Sequence, residues 1–159
     1  MKNKYPLADL LRVRLLREDK ALEAITVAQR KLEDAIRYLK EQQDALASFK
    51  KFRQSEEIRL YNSIMKQVVK QEKVDEVKAE VARLRLEEIR HMEQVKKAEQ
   101  DLEQAKKNLE QAKIDYQNAI KSRQKIDEHK SIWKEGVLKE IEFNLEKEME
   151  DFRTKPRVE

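Results

Sequence analysis

Apolar residues recur along the first half of this chain at steps of three, four and seven, the spacing of a helical seam. The seam predicted there is Leu11, Leu15, Leu22, Ile25, Leu32, Ile36, Leu39 and Leu46. After Leu46 the phase slips by about one position, and the pattern continues with gaps through Phe49, Leu60, Ile64 and Val68. The first half is therefore predicted to be one long amphipathic helix.

The second half repeats the same spacing more regularly. Its predicted seam is Val81, Leu84, Val95, Ala98, Leu102, Ala105, Leu109, Ala112, Tyr116 and Ala119, followed by Arg123, Ile126, Lys130, Trp133 and Val137. Residues 101–121 are three near-copies of one heptad, in which a large residue alternates with Ala at the seam. Small seam residues let two helix axes approach closely, so this pattern favours a close helix pair.

The apolar pattern fades over residues 70–73, and we place the turn there. The prediction is an all-α fold, a long antiparallel two-helix coiled-coil hairpin forming one domain over residues 1–159. Its parts are a helix over 6–69, a bend at 70–74, a helix over 75–152 and a tail at 153–159. Pro6 suits a helix start and Pro156 a helix end, whereas Gly136 lies inside the second helix.

Composition supports a helical fold and excludes several others. The chain has 1 Gly, 2 Pro and no Cys, with 43% charged residues. Sheet proteins and phosphate-binding loops need more turn residues than this. The net charge of +4 arises from 36 basic and 32 acidic residues, which is not typical of a nucleic-acid binder. No apolar run approaches the roughly 20 residues of a membrane span, so we expect no membrane insertion.

Residues that carry chemistry are scarce. Glu88 and His91 have the Glu-x-x-His spacing of di-iron helical bundles, but such a site needs a second copy. His129 cannot supply it, because residue 126 is Ile. We therefore expect no metal, no cofactor and no catalytic activity.

Candidate functional residues lie off the seam, where the hairpin brings residues 4–22 beside 122–140. More apolar side chains occur there than two helices can bury, and exposed apolar surface of this kind marks a partner. A folded-back tail, a short third helix or self-association are the alternatives. Basic residues are in excess at the same end, which suits an acidic ring or pore, although a solvated face also explains them. An acidic segment follows, from Glu140 to Asp151.

Tyr61 and Met65, one helical turn apart near the bend, form a second possible contact patch or else pack beside the seam. The full set of candidate partner-binding residues is Leu10, Arg12, Val13, Arg14, Leu16, Arg17, Ile132, Trp133, Leu138, Ile141, Phe143, Tyr61 and Met65.

Three segments carry a resemblance to a known family. They are YPLADLLRVRLLREDKALEAI (5–25), SEEIRLYNSI (55–64) and VDEVKAEVARLRLEE (74–88). With them the chain resembles YscO-type proteins of bacterial type III secretion, the chlamydial member included, which are similar to FliJ of flagellar export. The resemblance covers most of the chain.

The resemblance implies a non-enzymatic stalk in the pore of the hexameric secretion ATPase, at the cytoplasmic face of the apparatus. The other partners it implies are the cytoplasmic domain of the export gate and secretion chaperones. Three alternatives stay open: a chaperone escort outside the ring, a generic parallel coiled-coil dimer, and a nucleic-acid binder, which the interspersed acidic residues argue against.

Overall fold

The computed structural model describes residues 4–154, which form two helices. Helix α1 runs over Ala8–Ile64 and helix α2 over Gln71–Thr154. The predicted helices covered 6–69 and 75–152, so α1 ends five residues earlier and α2 begins four residues earlier than the sequence indicated. Most of the tail at 153–159 lies outside the described residues.

The connection between the helices occupies residues 65–70 rather than 70–74. Lys66 adopts a φ of 58°, the left-handed conformation in which a chain usually places Gly. The carbonyl of Lys70 then accepts hydrogen bonds from the backbone N–H groups of Lys73 (3.0 Å) and Val74 (3.4 Å), and these open α2. Because a lysine makes the turn, no Gly or Pro marks its position in the sequence.

The described chain divides into two compact units. The terminal unit comprises Met1–Ile25 and Ala112–Glu159, and the bend unit comprises Thr26–Gln111. Each contains a segment of α1 and a segment of α2.

In the bend unit the two helices pack antiparallel. Phe49 stacks on His91 with ring centroids 4.8 Å apart, and one turn later Arg53 pairs with Glu88. Glu57 and Arg85 follow at 3.1 Å, so positions that rise along α1 fall along α2. These are contacts within one chain, so the fold is a hairpin and not the parallel dimer of one unbroken helix.

The core of the bend unit is narrow. Its buried side chains are Ala28, Val77, Val81, Leu84, Ala98 and Ala105. Four of these, Val81, Leu84, Ala98 and Ala105, belong to the seam predicted for the second half, which is confirmed. Ala at facing positions lets the helix axes approach, as the Ala rows indicated.

The seam predicted for α1 was out of phase at several positions. Leu15, Leu22 and Ile36 are exposed, at 45%, 48% and 51%. The partly or fully buried positions beside them are Arg14, Glu18, Ala21, Ala28, Ala35 and Gln42. These alternate by three and four with Leu11, Ile25, Leu32 and Leu39, so burial on α1 follows the spacing rather than the largest side chains.

Neither helix contains, within residues 4–154, an apolar stretch long enough to cross a bilayer.

Candidate interaction surface

Tyr5 fixes the start of α1 to α2 in the terminal unit. It is buried, and its hydroxyl lies 2.7 Å from Nδ1 of His129. Its ring packs on Trp133 with centroids 5.3 Å apart. Trp133, predicted as a partner-binding residue, is thus half-buried against Tyr5 and supports the fold of this unit.

A second interhelical contact of the terminal unit is ionic. Arg123 donates hydrogen bonds to Glu18 on α1 and, at 2.6 Å, to Asp127 one turn along α2. The hydrogen bonds to Glu18 and Asp127 raise the pKa of Arg123, so its guanidinium stays charged within the seam. The helices of the terminal unit, like those of the bend unit, are therefore joined partly by charged side chains.

Arg14 also lies in the seam and not on the outer surface. It is half-buried, and its Nε is enclosed without a hydrogen-bond partner in the described part of the chain. An enclosed polar atom of this kind costs free energy, so Arg14 is poorly suited to substitution as a surface charge.

The exposed residues of the terminal unit can be assigned to faces from this geometry. Glu18 meets Arg123, so these two seam positions face each other. In an antiparallel pair, residues directly before facing seam positions lie on the same side. On α1, Leu10 and Arg17 directly precede seam residues. On α2, Gly136 directly precedes the seam residue Val137, and Phe143 lies two helical turns further along the same side.

Steps of three and four extend both rows along that side. The residues are Leu10, Val13, Arg17 and Lys20 on α1, with Lys125, Ile132, Lys139 and Phe143 on α2, and all eight are exposed. We call these eight residues the basic face. It combines four apolar with four cationic side chains. His129 and Gly136 hold the remaining positions of the α2 row, and no carboxylate occupies that row between Lys125 and Phe143.

Gly136 lies within the α2 row of the basic face, between Ile132 and Lys139. A Cβ added there would meet no atom within 4 Å, so the position is open rather than packed. The helix continues through it. The basic face therefore has a shallow gap flanked by one apolar and one cationic side chain, Ile132 and Lys139.

The remaining predicted residues lie elsewhere. Arg12 pairs loosely with Asp9 at 3.6 Å, and Leu16 points away from α2. Leu138 and Ile141 are exposed on the other side of α2. Tyr61 and Met65 belong to the bend unit, where they form an exposed row with Ile58.

Sequence reasoning missed members of these surfaces for identifiable reasons. Leu15 and Leu22 were assigned to the seam because they are large, yet both are exposed. Lys20, Lys125 and Lys139 were counted in the basic excess of this end of the hairpin but not placed on a face. Their spacing relative to the true seam was the signal that would have grouped them.

Glu88 and His91 both make interhelical contacts in the bend unit. Glu88 pairs with Arg53, and the His91 ring lies against Phe49. Among residues 4–154 there is no group of three His, Cys, Asp or Glu side chains that could hold a metal ion.

Comparison with known proteins identifies relatives of this hairpin. The family model "Type III secretion protein YscO" matches residues 7–155. The crystal structure of YscO from Vibrio parahaemolyticus superimposes with a TM-score of 0.88 at 23% identity, covering 92% of each chain. A Chlamydia trachomatis protein proposed to be a YscO homologue gives a TM-score of 0.72 at 24% identity, covering 94% of this chain and 91% of its own.

No curated protein sequence matches. The two structural likenesses are too distant in sequence to show more than the fold, whereas the family model spans nearly the whole chain. The chain therefore belongs to the YscO family of type III secretion proteins.

Proposed function

We propose that this chain is a non-enzymatic stalk and adaptor of the type III secretion ATPase, at the cytoplasmic face of the apparatus. The terminal unit occupies the pore of the ATPase hexamer. The bend unit contacts the export gate and secretion chaperones. Family membership supports a structural role in type III secretion, and the surfaces of the two units support the division of labour.

The basic face is the observation that carries the ATPase assignment. Cationic and apolar side chains occur together on both helices, and no carboxylate interrupts their rows. Such a surface complements a pore lined with acidic and apolar groups, because opposite potentials guide the approach and apolar contacts hold the complex. The helix pair offers this surface on one side, which suits a shaft that contacts its ring asymmetrically.

The ATPase assignment is tested by hydrolysis assays with the purified cognate ATPase. The wild-type chain should change the hydrolysis rate, and reversal of charge at Arg17→Glu with Lys20→Glu should abolish that change. Both positions are exposed, so the fold should survive. The matched control is Lys51→Glu with Lys107→Glu, two exposed lysines of the bend unit. An unchanged rate with wild-type protein would contradict the assignment.

A chaperone escort that never enters the ring is the second candidate, and the surface near the bend favours it. Ile58, Tyr61 and Met65 form an exposed apolar row there, and Val68 in the connection is fully exposed. Reversing Arg12 and Arg17 distinguishes the two functions, since an escort keeps its chaperone affinity and shows no ATPase coupling to lose. Arg14 is left unchanged because its enclosed Nε would confound the result.

A further inference from the structure

The last part of α2 carries an apolar row that no residue of the described chain covers. Leu138, Ile141, Leu145, Met149 and Phe152 follow one another at steps of three and four, so they share one face of the helix. The row begins one position after Val137, the last partly buried seam residue, so it runs along the side of the helix next to the seam. It extends over about 21 Å of helix at 1.5 Å per residue. We call these five residues the C-terminal apolar row.

Burial changes abruptly where this row begins. Val137 is still half-buried, whereas every residue from Leu138 to Thr154 is exposed, up to 86% for Phe152. The backbone nevertheless stays helical to Thr154. Five large apolar side chains on one side of a solvated helix form a contiguous exposed stripe, which is the usual mark of a binding surface.

The charges beside the row are acidic except for Arg153, which lies one turn after Met149. Glu142 and Glu148 are the nearest flanking residues, one on each side, and Glu146 and Asp151 lie further round the helix. Residues 138–154 contain six acidic and three basic side chains in all. The potential here is opposite to that of the basic face, so the two surfaces call for different partners.

We propose that the C-terminal apolar row, with its acidic flanks, is a docking site for an amphipathic α-helix of a partner protein. That helix has apolar residues at three- and four-residue spacing and Lys or Arg beside them. The row has the three- and four-residue spacing of a coiled-coil seam, and such a seam is filled by the side chains of another amphipathic helix. Flanking charges select the partner in coiled coils, so glutamates at both flanks select a basic one.

This inference goes beyond the ATPase assignment and does not depend on it. An acidic pore wall that suits the basic face would be repelled by Glu142 and Glu148. The partner helix therefore binds a different surface from the basic face, which is proposed to contact the ring. A second copy of this chain is the competing occupant.

The test uses the full chain and three labelled synthetic helical peptides of about 18 residues, long enough to match the row. One carries Leu at seam spacing with Lys at the flanks. The second has the same Leu residues with Glu at the flanks, and the third has the Lys residues with Ala replacing Leu. Fluorescence anisotropy should show the first peptide binding about tenfold more tightly than either of the others.

Two variants provide the matched comparison. Leu145→Glu should weaken binding of the first peptide about tenfold. Phe143→Glu introduces the same charge at an exposed apolar residue of the same segment, but two positions away, about 200° round the helix, and should leave binding unchanged. Glu142→Lys with Glu148→Lys should transfer the preference to the acidic peptide. Circular dichroism checks that each variant keeps its helix.

Three results would overturn the proposal. One is equal binding of the first and third peptides, which would reduce the interaction to charge alone. Another is equal loss of binding in the Leu145 and Phe143 variants. The third is a wild-type dimer by sedimentation that Leu145→Glu dissociates, since a second copy would then occupy the row. A failed ATPase assay would leave this outcome unaffected, because no ATPase is present.

Discussion

Leu84→Ala tests the packing of the bend unit most sharply. Leu84 is 1% exposed and lies at a seam position of α2, beside Val81. Truncating a buried Leu to Ala costs about 2–5 kcal/mol through lost burial and the cavity left behind. A two-helix pair can close partly over such a cavity, so we expect the lower half of that range, about 2–3 kcal/mol.

Leu86→Ala is the matched control, because Leu86 lies two residues away and is 50% exposed. The same substitution there should cost below about 1 kcal/mol. Urea unfolding followed by far-ultraviolet circular dichroism measures both. With a slope of about 1–3 kcal/mol per molar urea, Leu84→Ala should lower the midpoint by roughly 1–2 M. An equal loss in the two variants would refute the assigned phase of the α2 seam.

Three further changes test other features by the same unfolding assay. Gly136→Ala should stabilise the chain by about 1 kcal/mol, because a helix-interior Gly is unfavourable and the added methyl meets open space; a loss would show that the position is packed. Tyr5→Phe should cost about 1 kcal/mol by removing the hydroxyl contact to His129, and an unchanged midpoint would contradict that contact. Burial opposes ionisation of Glu57, but hydrogen bonds from Arg85 and Arg53 outweigh it and lower its pKa below 4.5. Ionised Glu57 therefore stabilises the folded state above the ordinary pKa of a glutamate, and this stabilisation is lost as pH falls through the lowered pKa. Glu57→Gln should lower stability at neutral pH and converge with wild type in acid, whereas a pH-independent difference would contradict the assignment.

The second helix shows why its seam could be predicted from sequence. From Leu102 to Ala119 each seam position carries either a large apolar residue or Ala, and the intervening positions are mostly charged or amide. These seam positions are all partly or fully buried, so the sequence pattern predicts only one seam. The resemblance to YscO-type proteins in three separate segments added the family, which the family model confirms.

The first helix shows where that reasoning fails. Its leucines occur at seam and flanking positions alike, and the seam itself contains Arg14, Glu18 and Gln42. Choosing the largest apolar residue near each expected position assigned Leu15, Leu22 and Ile36 to the seam. The seam positions are instead the residues directly before them, Arg14, Ala21 and Ala35. The facing helix decides between the two phases, and its geometry is a tertiary property that a single segment does not encode.

The same dependence on tertiary structure explains the surfaces. The local excess of basic residues located a basic end, but the basic face appears only when rows on two helices are placed on one side of the pair. The turn escaped detection for a local reason, since Lys66 takes a backbone conformation that sequence patterns associate with Gly.

Site-specific photo-crosslinking to the secretion ATPase tests the central claim most directly. A photoreactive residue at Val13 or at Ile132 probes the basic face from each helix, and one at Leu86 in the bend unit serves as control, since all three positions are exposed. The account predicts ATPase adducts from Val13 and Ile132 and none from Leu86. Adducts from Leu86 alone, or from none of the three, would contradict insertion of the terminal unit into the ring.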